Sequence, residues 1–155
     1  MQNIIHYTPH TPIPLDYTKR IVLVGGCFDI LHFGHIQFLK QAKQAGDVLV
    51  VALESDERIL QDKNRAPTHT QHERAANLLA LRSVDMVLML PRLDGFNDYN
   101  ALVHTVKPTV IAVTQGDSQL HNKQKQADLL GIECIVVVER IGTFSSSIIY
   151  ERHKE

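Results

Sequence analysis

The chain has 155 residues, a formal net charge of −1 and 44% hydrophobic residues, values typical of a single soluble globular domain. No tract of Lys and Arg stands out, and no apolar run approaches the length of a membrane span, so we expect neither a nucleic-acid surface nor a membrane segment. The first 20 residues lack the apolar core of a signal peptide, and Cys27 and Cys134 adjoin or enter predicted strands. We therefore expect free thiols in the reducing cytoplasm.

Residues 1–19 contain three prolines among polar residues, which predicts an irregular N-terminal arm ahead of a domain formed by residues 20–155. From residue 21 onward, short apolar runs alternate with helical periodicity. This alternation predicts an α/β fold with a Rossmann-like, doubly wound parallel sheet of about five strands. In such a sheet the carboxyl ends of the strands meet at one edge, where ligands bind. The predicted strands are residues 21–24, 48–53, 86–90, 110–113 and 135–138, and the predicted helices are residues 33–45, 71–81, 99–106 and 120–130.

A glycine- and histidine-containing turn, residues 25–35, joins the first predicted strand to the first predicted helix. The glycines let the backbone bend, and the exposed amides of a helix start attract anions. His32 and His35 lie about one helical turn apart and can face the same way. Two imidazoles beside exposed amides suit a polyphosphate whose charge rises during reaction. Two alternatives are a zinc site, which would need further ligands, and histidines with a purely structural role.

The motif G-x-F-D-x-x-H-x-G-H, which occupies residues 26–35, resembles the signature of the cytidylyltransferase-like nucleotidyltransferases. This resemblance implies transfer of a nucleoside monophosphate from ATP or CTP to a phosphorylated small-molecule acceptor, with Mg²⁺ as cofactor. It implies catalytic roles for His32, His35 and Lys63, with Lys63 and Arg65 on a flexible basic loop that closes over the triphosphate. The nucleotide-binding residues that it implies are Gly26, Cys27, Phe28, Gly34, Asp117, Arg140, Ser145 and Ser146.

Other matches to the family lie further along the chain. The resemblance implies that Asp29, Arg74, Arg82 and Asp85 hold the site together or contact substrate. Thr70 and Glu73, by contrast, form the pattern of a capping box and predict only the start of a helix.

The C-terminal segment, residues 140–149, resembles the serine-containing element of the family and predicts a second phosphate cradle at a helix start. Thr143 stands where the family has a glycine, and Gly142 is displaced by one place. Thr114, two positions before Gly116-Asp117, departs from the lysine of the heptose enzymes and leaves the acceptor open.

The resemblance is nearest to the heptose 1-phosphate adenylyltransferases, so adenylyl transfer to D-glycero-D-manno-heptose 1-phosphate is the leading prediction. Glycerol-3-phosphate cytidylyltransferase and FAD synthetase are alternatives. A non-catalytic nucleotide-binding regulator is an alternative of another class, for which the nucleotide would bind without release of pyrophosphate. The family also implies a homodimer.

Overall fold

A parallel sheet lies at the centre of the protein, whose computed structural model describes residues 3–138. Within these residues the sheet has six strands in the order β1-β4-β3-β2-β5-β6, and all neighbouring strands are parallel. The predicted α/β Rossmann-like fold is therefore confirmed, with six strands rather than about five. The strands are β1 (Ile4–His6), β2 (Ile21–Gly26), β3 (Val48–Leu53), β4 (Met86–Met89), β5 (Val110–Thr114) and β6 (Glu133–Val138).

Helices cover both faces of this sheet and give it two apolar cores. Because β2 to β5 are buried on both sides, they are apolar almost throughout and lack the alternation of a half-exposed strand. One core packs beneath α1 and α3 and includes Leu39 and Leu78. The other packs beneath α4 and α5 and includes Leu23 and Leu102. The helices are α1 (Phe33–Gln44), α2 (Asp56–Lys63), α3 (Gln71–Leu79), α4 (Gly95–Val106) and α5 (Leu120–Leu130).

The switch point of the sheet lies between β2 and β5. From β2 the chain passes to β3 and β4 on one side, and then returns through α4 to β5 on the other side. Crevices at such a point, at the carboxyl ends of the strands, bind ligands in open α/β sheets. The turn after β2 and the loop after β5 both lie there.

The N-terminal arm is not irregular throughout, so that prediction is wrong for Ile4–His6. These residues form β1, which pairs in parallel with β4. The amide of Tyr7 donates to the carbonyl of Met89 at 2.9 Å, and the Tyr7 side chain is buried with Ile13 in the core under α4. A three-residue strand is too short to show a period, and only the open edge of β4 makes this segment a strand.

The expected flexible basic loop is also different. Lys63 is the last residue of α2, an eight-residue helix that the sequence did not predict. Ser55 caps this helix, since its Oγ accepts from the amide of Arg58 at 3.1 Å. α2 buries only Ile59, so its sequence shows no apolar stripe. The capping box of Thr70 and Glu73 at the start of α3 is confirmed.

α4 begins at Gly95 rather than at residue 99. No helix within residues 3–138 is long and apolar enough to cross a membrane. The sites predicted at Arg140, Ser145 and Ser146 lie outside the described residues.

Candidate active site

The turn after β2 has a strained backbone. Phe28 has φ of 45°, in the left-handed region that aromatic residues rarely adopt. Its buried ring folds back over Gly26, where an added Cβ would lie 2.9 Å from the ring. A side chain at position 26 would therefore push the Phe28 ring out of its place. Strain of this kind persists only where the surroundings hold it, and it is concentrated at functional sites.

The two histidines of the turn lie together at the start of α1. His32 is the N-cap of the helix, and its Nδ1 accepts from the amide of His35 at 3.3 Å. The two rings are stacked, with centroids 3.7 Å apart and planes at 19°, so the expectation that they face the same way is confirmed. The ring of His35 also meets the ring of Phe28 edge-on at 5.0 Å. Because Nδ1 of His32 accepts a hydrogen bond, its proton is on Nε2, which can donate to a phosphate oxygen.

Both imidazoles are neutral at neutral pH. Burial lowers the pKa of His32, and burial followed by the charge of His32 lowers the pKa of His35 to about 3. Without a ligand, the start of α1 therefore presents N–H donors and the positive end of the helix dipole rather than two cations. An incoming phosphate would favour the protonated forms of both histidines.

Lys63 supplies a cation beside this turn. Its half-buried side chain lies close enough to lower the pKa of His35, although burial is the larger cause. It also opposes the rise that burial produces in the pKa of the Cys27 thiol. Among residues 3–138 no carboxylate forms an ion pair with Lys63. The structure thus brings together Lys63, His32 and His35, as expected from the sequence. Cys27 has a raised thiol pKa and is no activated nucleophile.

Asp29 fastens the loop before α3 to the turn. Its fully buried carboxylate accepts from the amides of Thr68 at 2.8 Å and His69 at 3.1 Å, and it pairs with Arg65 at 3.2 Å. Burial alone would raise the pKa of Asp29, but these hydrogen bonds and the guanidinium hold it below the ordinary value. Asp29 thus holds the turn in position. Arg65, which we expected over the triphosphate, contacts Asp29.

Arg74 is a buried clamp across the carboxyl edge of the sheet. Its guanidinium donates to the carbonyls of Cys27 at 2.6 Å, Glu54 at 2.9 Å and His69 at 3.1 Å, and to the carboxylate of Asp56 at 2.6 Å. All three guanidinium nitrogens are engaged by the protein. Arg74 therefore joins the loops after β2 and β3 to the start of α3.

Asp117 lies at the neighbouring strand end, after β5. Gly116 has φ of 76°, a conformation that favours glycine and turns the chain after the strand. The carboxylate of Asp117 accepts from Lys123 Nζ at 2.7 Å and from the amide of Gln119 at 2.8 Å. The side chain of Lys123 is only 22% exposed in this pairing.

Two of the predicted residues lie elsewhere. Asp85 precedes β4 at the amino edge of the sheet, where its carboxylate accepts from the side chain of Lys43 and the amide of Leu49. Arg82 is exposed in the turn just before it. The structure does not bring either residue to the histidines. Gly34, by contrast, lies in the first turn of α1, beside His32 and His35.

The sequence reading missed Glu54 and Tyr99. Glu54 directly follows β3, and its Oε1 accepts from the hydroxyl of Tyr99 on α4 at 2.8 Å. Both residues line a cavity of about 350 Å³ between the sheet, α4 and α5, together with Gly26 and Asp117. The sequence did contain one signal for Glu54. This acidic residue directly follows an apolar strand, just as Asp117 follows β5.

The described residues offer donors for phosphate rather than a cage for metal. No group of three or more His, Cys, Asp or Glu side chains that could hold a metal ion occurs within residues 3–138. Mg²⁺ in triphosphate sites is held largely by the phosphates and water, with one or two carboxylates. The carboxylate of the turn itself, Asp29, is already engaged by amides and Arg65. These residues therefore fit Mg²⁺ that enters with the triphosphate.

Two stacked histidines lie at a helix start, at the switch point of a doubly wound sheet. This arrangement is that of an enzyme of the nucleotidyltransferase type. The family model "Cytidylyltransferase-like" matches residues 23–152, and the chain belongs to that family. The family resemblance of the sequence is thus confirmed.

Several known proteins are similar to this chain. A FAD synthase of Thermococcus kodakarensis is 47% identical over 108 residues, which are 69% of each chain. The bifunctional protein HldE of Campylobacter fetus is 44% identical over 95 residues, 60% of this chain but only 20% of that protein. A lipopolysaccharide core biosynthesis protein of Thermoplasma volcanium, known from its crystal structure, is 31% identical with a TM-score of 0.60, and the match covers 82% of this chain and 99% of that one.

Proposed function

We propose that this protein transfers a nucleoside monophosphate from a nucleoside triphosphate to a phosphorylated small-molecule acceptor. A phosphate oxygen of the acceptor attacks the α-phosphorus in line, the bond from the α-phosphorus to the bridging oxygen breaks, and pyrophosphate leaves. The observation that carries this proposal is the stacked pair of His32 and His35 at the N-terminus of α1. Such chemistry depends on positioning and charge stabilisation more than on a covalent nucleophile.

Each residue of the pair has a role suited to its chemistry. His32 donates from Nε2 to an oxygen of the triphosphate. His35, whose ring is held by His32 and Phe28, donates a hydrogen bond to the bridging oxygen as negative charge develops there. Lys63 adds a point charge beside the phosphates. Bound Mg²⁺ would neutralise charge on the triphosphate.

We propose ATP as the donor nucleotide. FAD is FMN joined to AMP, and the similarity to a FAD synthase extends over 69% of both chains. Heptose 1-phosphate, the leading acceptor from the sequence, is supported by the HldE relative, which this chain matches over a small part of its length. FMN and heptose 1-phosphate are therefore the two acceptors to compare, with glycerol 3-phosphate and CTP as the third combination. We place the enzyme in the cytoplasm, which agrees with its free thiols Cys27 and Cys134, and we propose a homodimer.

A panel of pyrophosphate-release assays tests the proposed function. ATP and CTP are crossed with FMN, heptose 1-phosphate and glycerol 3-phosphate in the presence of Mg²⁺. Release with one pair, dependent on the acceptor, is the expected result. Tight nucleotide binding with no release for any pair would instead support the regulator.

The histidine roles are tested by substitution. Because His32 is also a helix cap, His32→Asn keeps a good capping residue while removing the imidazole. We expect His32→Asn and His35→Ala each to lower turnover at least about a hundredfold, as for loss of one donor to a transition state. His104→Ala, at an exposed position of α4, is the matched control. Near-normal turnover in His32→Asn and His35→Ala would remove both residues from the mechanism.

A further inference from the structure

The cavity between α4 and α5 adjoins the phosphate-binding turn without including its histidines. Gly26 and Cys27 line it, while His32 and His35 do not. Its volume of about 350 Å³ is in the range of small-molecule sites. Apolar side chains from the sheet and α4 form most of its wall, and they include Leu23, Ala52, Leu90, Phe96, Leu102 and Ile111.

Apart from Glu54, the charged side chains that line the cavity form ion pairs with one another. Arg58 donates to Asp62 at 2.8 Å and to the carbonyl of Leu93 at 3.2 Å. Lys123 donates to Asp117 at 2.7 Å. Glu54 is therefore the charged side chain of the lining that forms no ion pair within residues 3–138.

Two polar groups of the cavity lack partners. Glu54 Oε2 is buried and makes no hydrogen bond with any of residues 3–138, while its Oε1 is held by Tyr99. Gln126 of α5 is 4% exposed, and no described residue forms a hydrogen bond with its side-chain amide. Buried polar groups in native proteins nearly always have a partner, so the unpaired carboxylate oxygen of Glu54 indicates a ligand, and the Gln126 side chain lines the same cavity.

We propose that this cavity binds the body of the acceptor, and that Glu54 and Gln126 select a planar heterocycle with an N–H group beside a carbonyl. Glu54 Oε2 accepts from the N–H, the Gln126 amide donates to the carbonyl, and the phosphate of the acceptor meets the turn at Gly26 and Cys27. This inference rests on the proposed function for the phosphate-transfer step, but the binding site can be tested without it.

The apolar wall argues against a sugar phosphate. A polyol carries a hydroxyl on nearly every carbon, and each one buried without a partner loses the hydrogen bonds that it made with water. Ser118, Gln119 and Asn122 also line the cavity, but they are exposed. Away from these three, the cavity offers the unpaired groups of Glu54 and Gln126, and otherwise apolar surface or side chains that are already paired. A heterocycle places its faces on apolar side chains such as Leu23 and Leu102, and its polar edge on the two unpaired groups.

Calorimetric titration of the full chain with FMN, heptose 1-phosphate and ATP tests the proposal. Glu54→Gln places an N–H where the acceptor N–H should meet an oxygen, and Gln126→Met removes the amide at similar size. We expect wild-type protein to bind FMN more tightly than heptose 1-phosphate. Each variant should lose at least tenfold in FMN affinity, with the affinity for ATP changed less than twofold. Matched controls are Glu57→Gln and Gln124→Met, at exposed positions of α2 and α5, which should bind FMN as wild type does.

Two results would overturn the inference: FMN affinity unchanged in both cavity variants, or tighter binding of heptose 1-phosphate than of FMN by wild type. Pyrophosphate release separates this outcome from failure of the proposed function. FMN binding that depends on Glu54 without any release would refute the transfer reaction and leave the cavity site standing. Pyrophosphate release with heptose 1-phosphate that is unchanged in both variants would support the transfer reaction and refute the cavity site.

Discussion

The histidines at the start of α1 act in both folding and the proposed chemistry. His32 caps the helix through Nδ1, and the ring of His35 packs between the rings of His32 and Phe28. Burial of both rings keeps them neutral, which avoids two adjacent positive charges in the free protein. A bound polyphosphate would reverse this preference, so we expect nucleotide binding to take up protons.

The depressed pKa of His35 predicts how stability depends on pH. Its folded pKa of about 3 lies below the ordinary 6.5, so on acidification the unfolded chain binds this proton first. The stability contributed by neutral His35 is complete above pH 6.5 and is lost as the pH falls toward 3, at up to about 1.4 kcal/mol per pH unit. Urea denaturation between pH 7.5 and pH 4.5 should therefore show a shallower pH dependence for His35→Asn than for wild type. His104→Asn should follow the wild-type curve. If the unfolding free energy of His35→Asn depended on pH as steeply as that of wild type, the burial of a neutral His35 ring would be contradicted.

At the scale of elements, the site forms where the loops after the strands meet the ends of helices, and Arg74 holds the loops. It joins Cys27, Glu54, His69 and Asp56 through one buried guanidinium. Its contacts include both the phosphate-binding turn and the residue that we propose selects the acceptor.

Replacement of Arg74 should destabilise the whole carboxyl edge. Arg74→Met leaves three carbonyls and the partly exposed Asp56 without their donor, and we expect a loss of about 3 kcal/mol or more in the free energy of unfolding. Arg74→Lys keeps the charge but cannot reach all four partners, so it should rescue only part of the loss. Chemical denaturation measures both, with the exposed Arg82→Met as a control that should change stability by less than about 0.5 kcal/mol. A small effect in Arg74→Met would mean that the loops hold without the clamp.

The packing of Tyr7 makes β1 part of the core. Tyr7→Ala should cost about 3 kcal/mol, the range for loss of a buried aromatic side chain. The Tyr7 hydroxyl is buried with no hydrogen-bond partner among the described residues, so Tyr7→Phe should be neutral or stabilising. Thermal and urea unfolding compare these with Tyr17→Ala, which removes a half-exposed ring. Destabilisation by Tyr7→Phe comparable to that by Tyr7→Ala would show that the hydroxyl does have a partner.

At the scale of the whole molecule, the end of β2 separates two regions with different tasks. Toward α1 lies the histidine pair with Lys63, and toward α4 and α5 lies the cavity with Glu54. The switch point of the sheet brings these regions together, because α1 and α4 pack on opposite faces of the sheet. A phosphorylated acceptor in the cavity would thus meet a triphosphate at the turn.

The C-terminal serines give a prediction that involves the whole chain. If Ser145 and Ser146 hold the β- and γ-phosphates, replacing both by Ala should weaken triphosphate binding much more than monophosphate binding. Each lost hydrogen bond to a charged oxygen costs roughly 1.5–3 kcal/mol. Calorimetric titration with ATP and AMP, alongside a melting curve, measures both effects. Equal losses of affinity for ATP and AMP would show that the serines do not bind the β- and γ-phosphates.

The sequence by itself determined the class of fold, the turn with its two histidines, and four of the five described helices. These features are local, since apolar runs mark buried strands, a capping box marks a helix start, and a spacing of three residues places two rings together. Only the tertiary structure decided that residues 4–6 extend the sheet, that Arg74 is a clamp, and that Glu54, Tyr99 and Gln126 surround one cavity. It also placed Asp85 at the far edge. Such features depend on contacts between residues distant in the chain, and neither a period nor a motif encodes which loops a buried guanidinium or an unpaired carboxylate will meet.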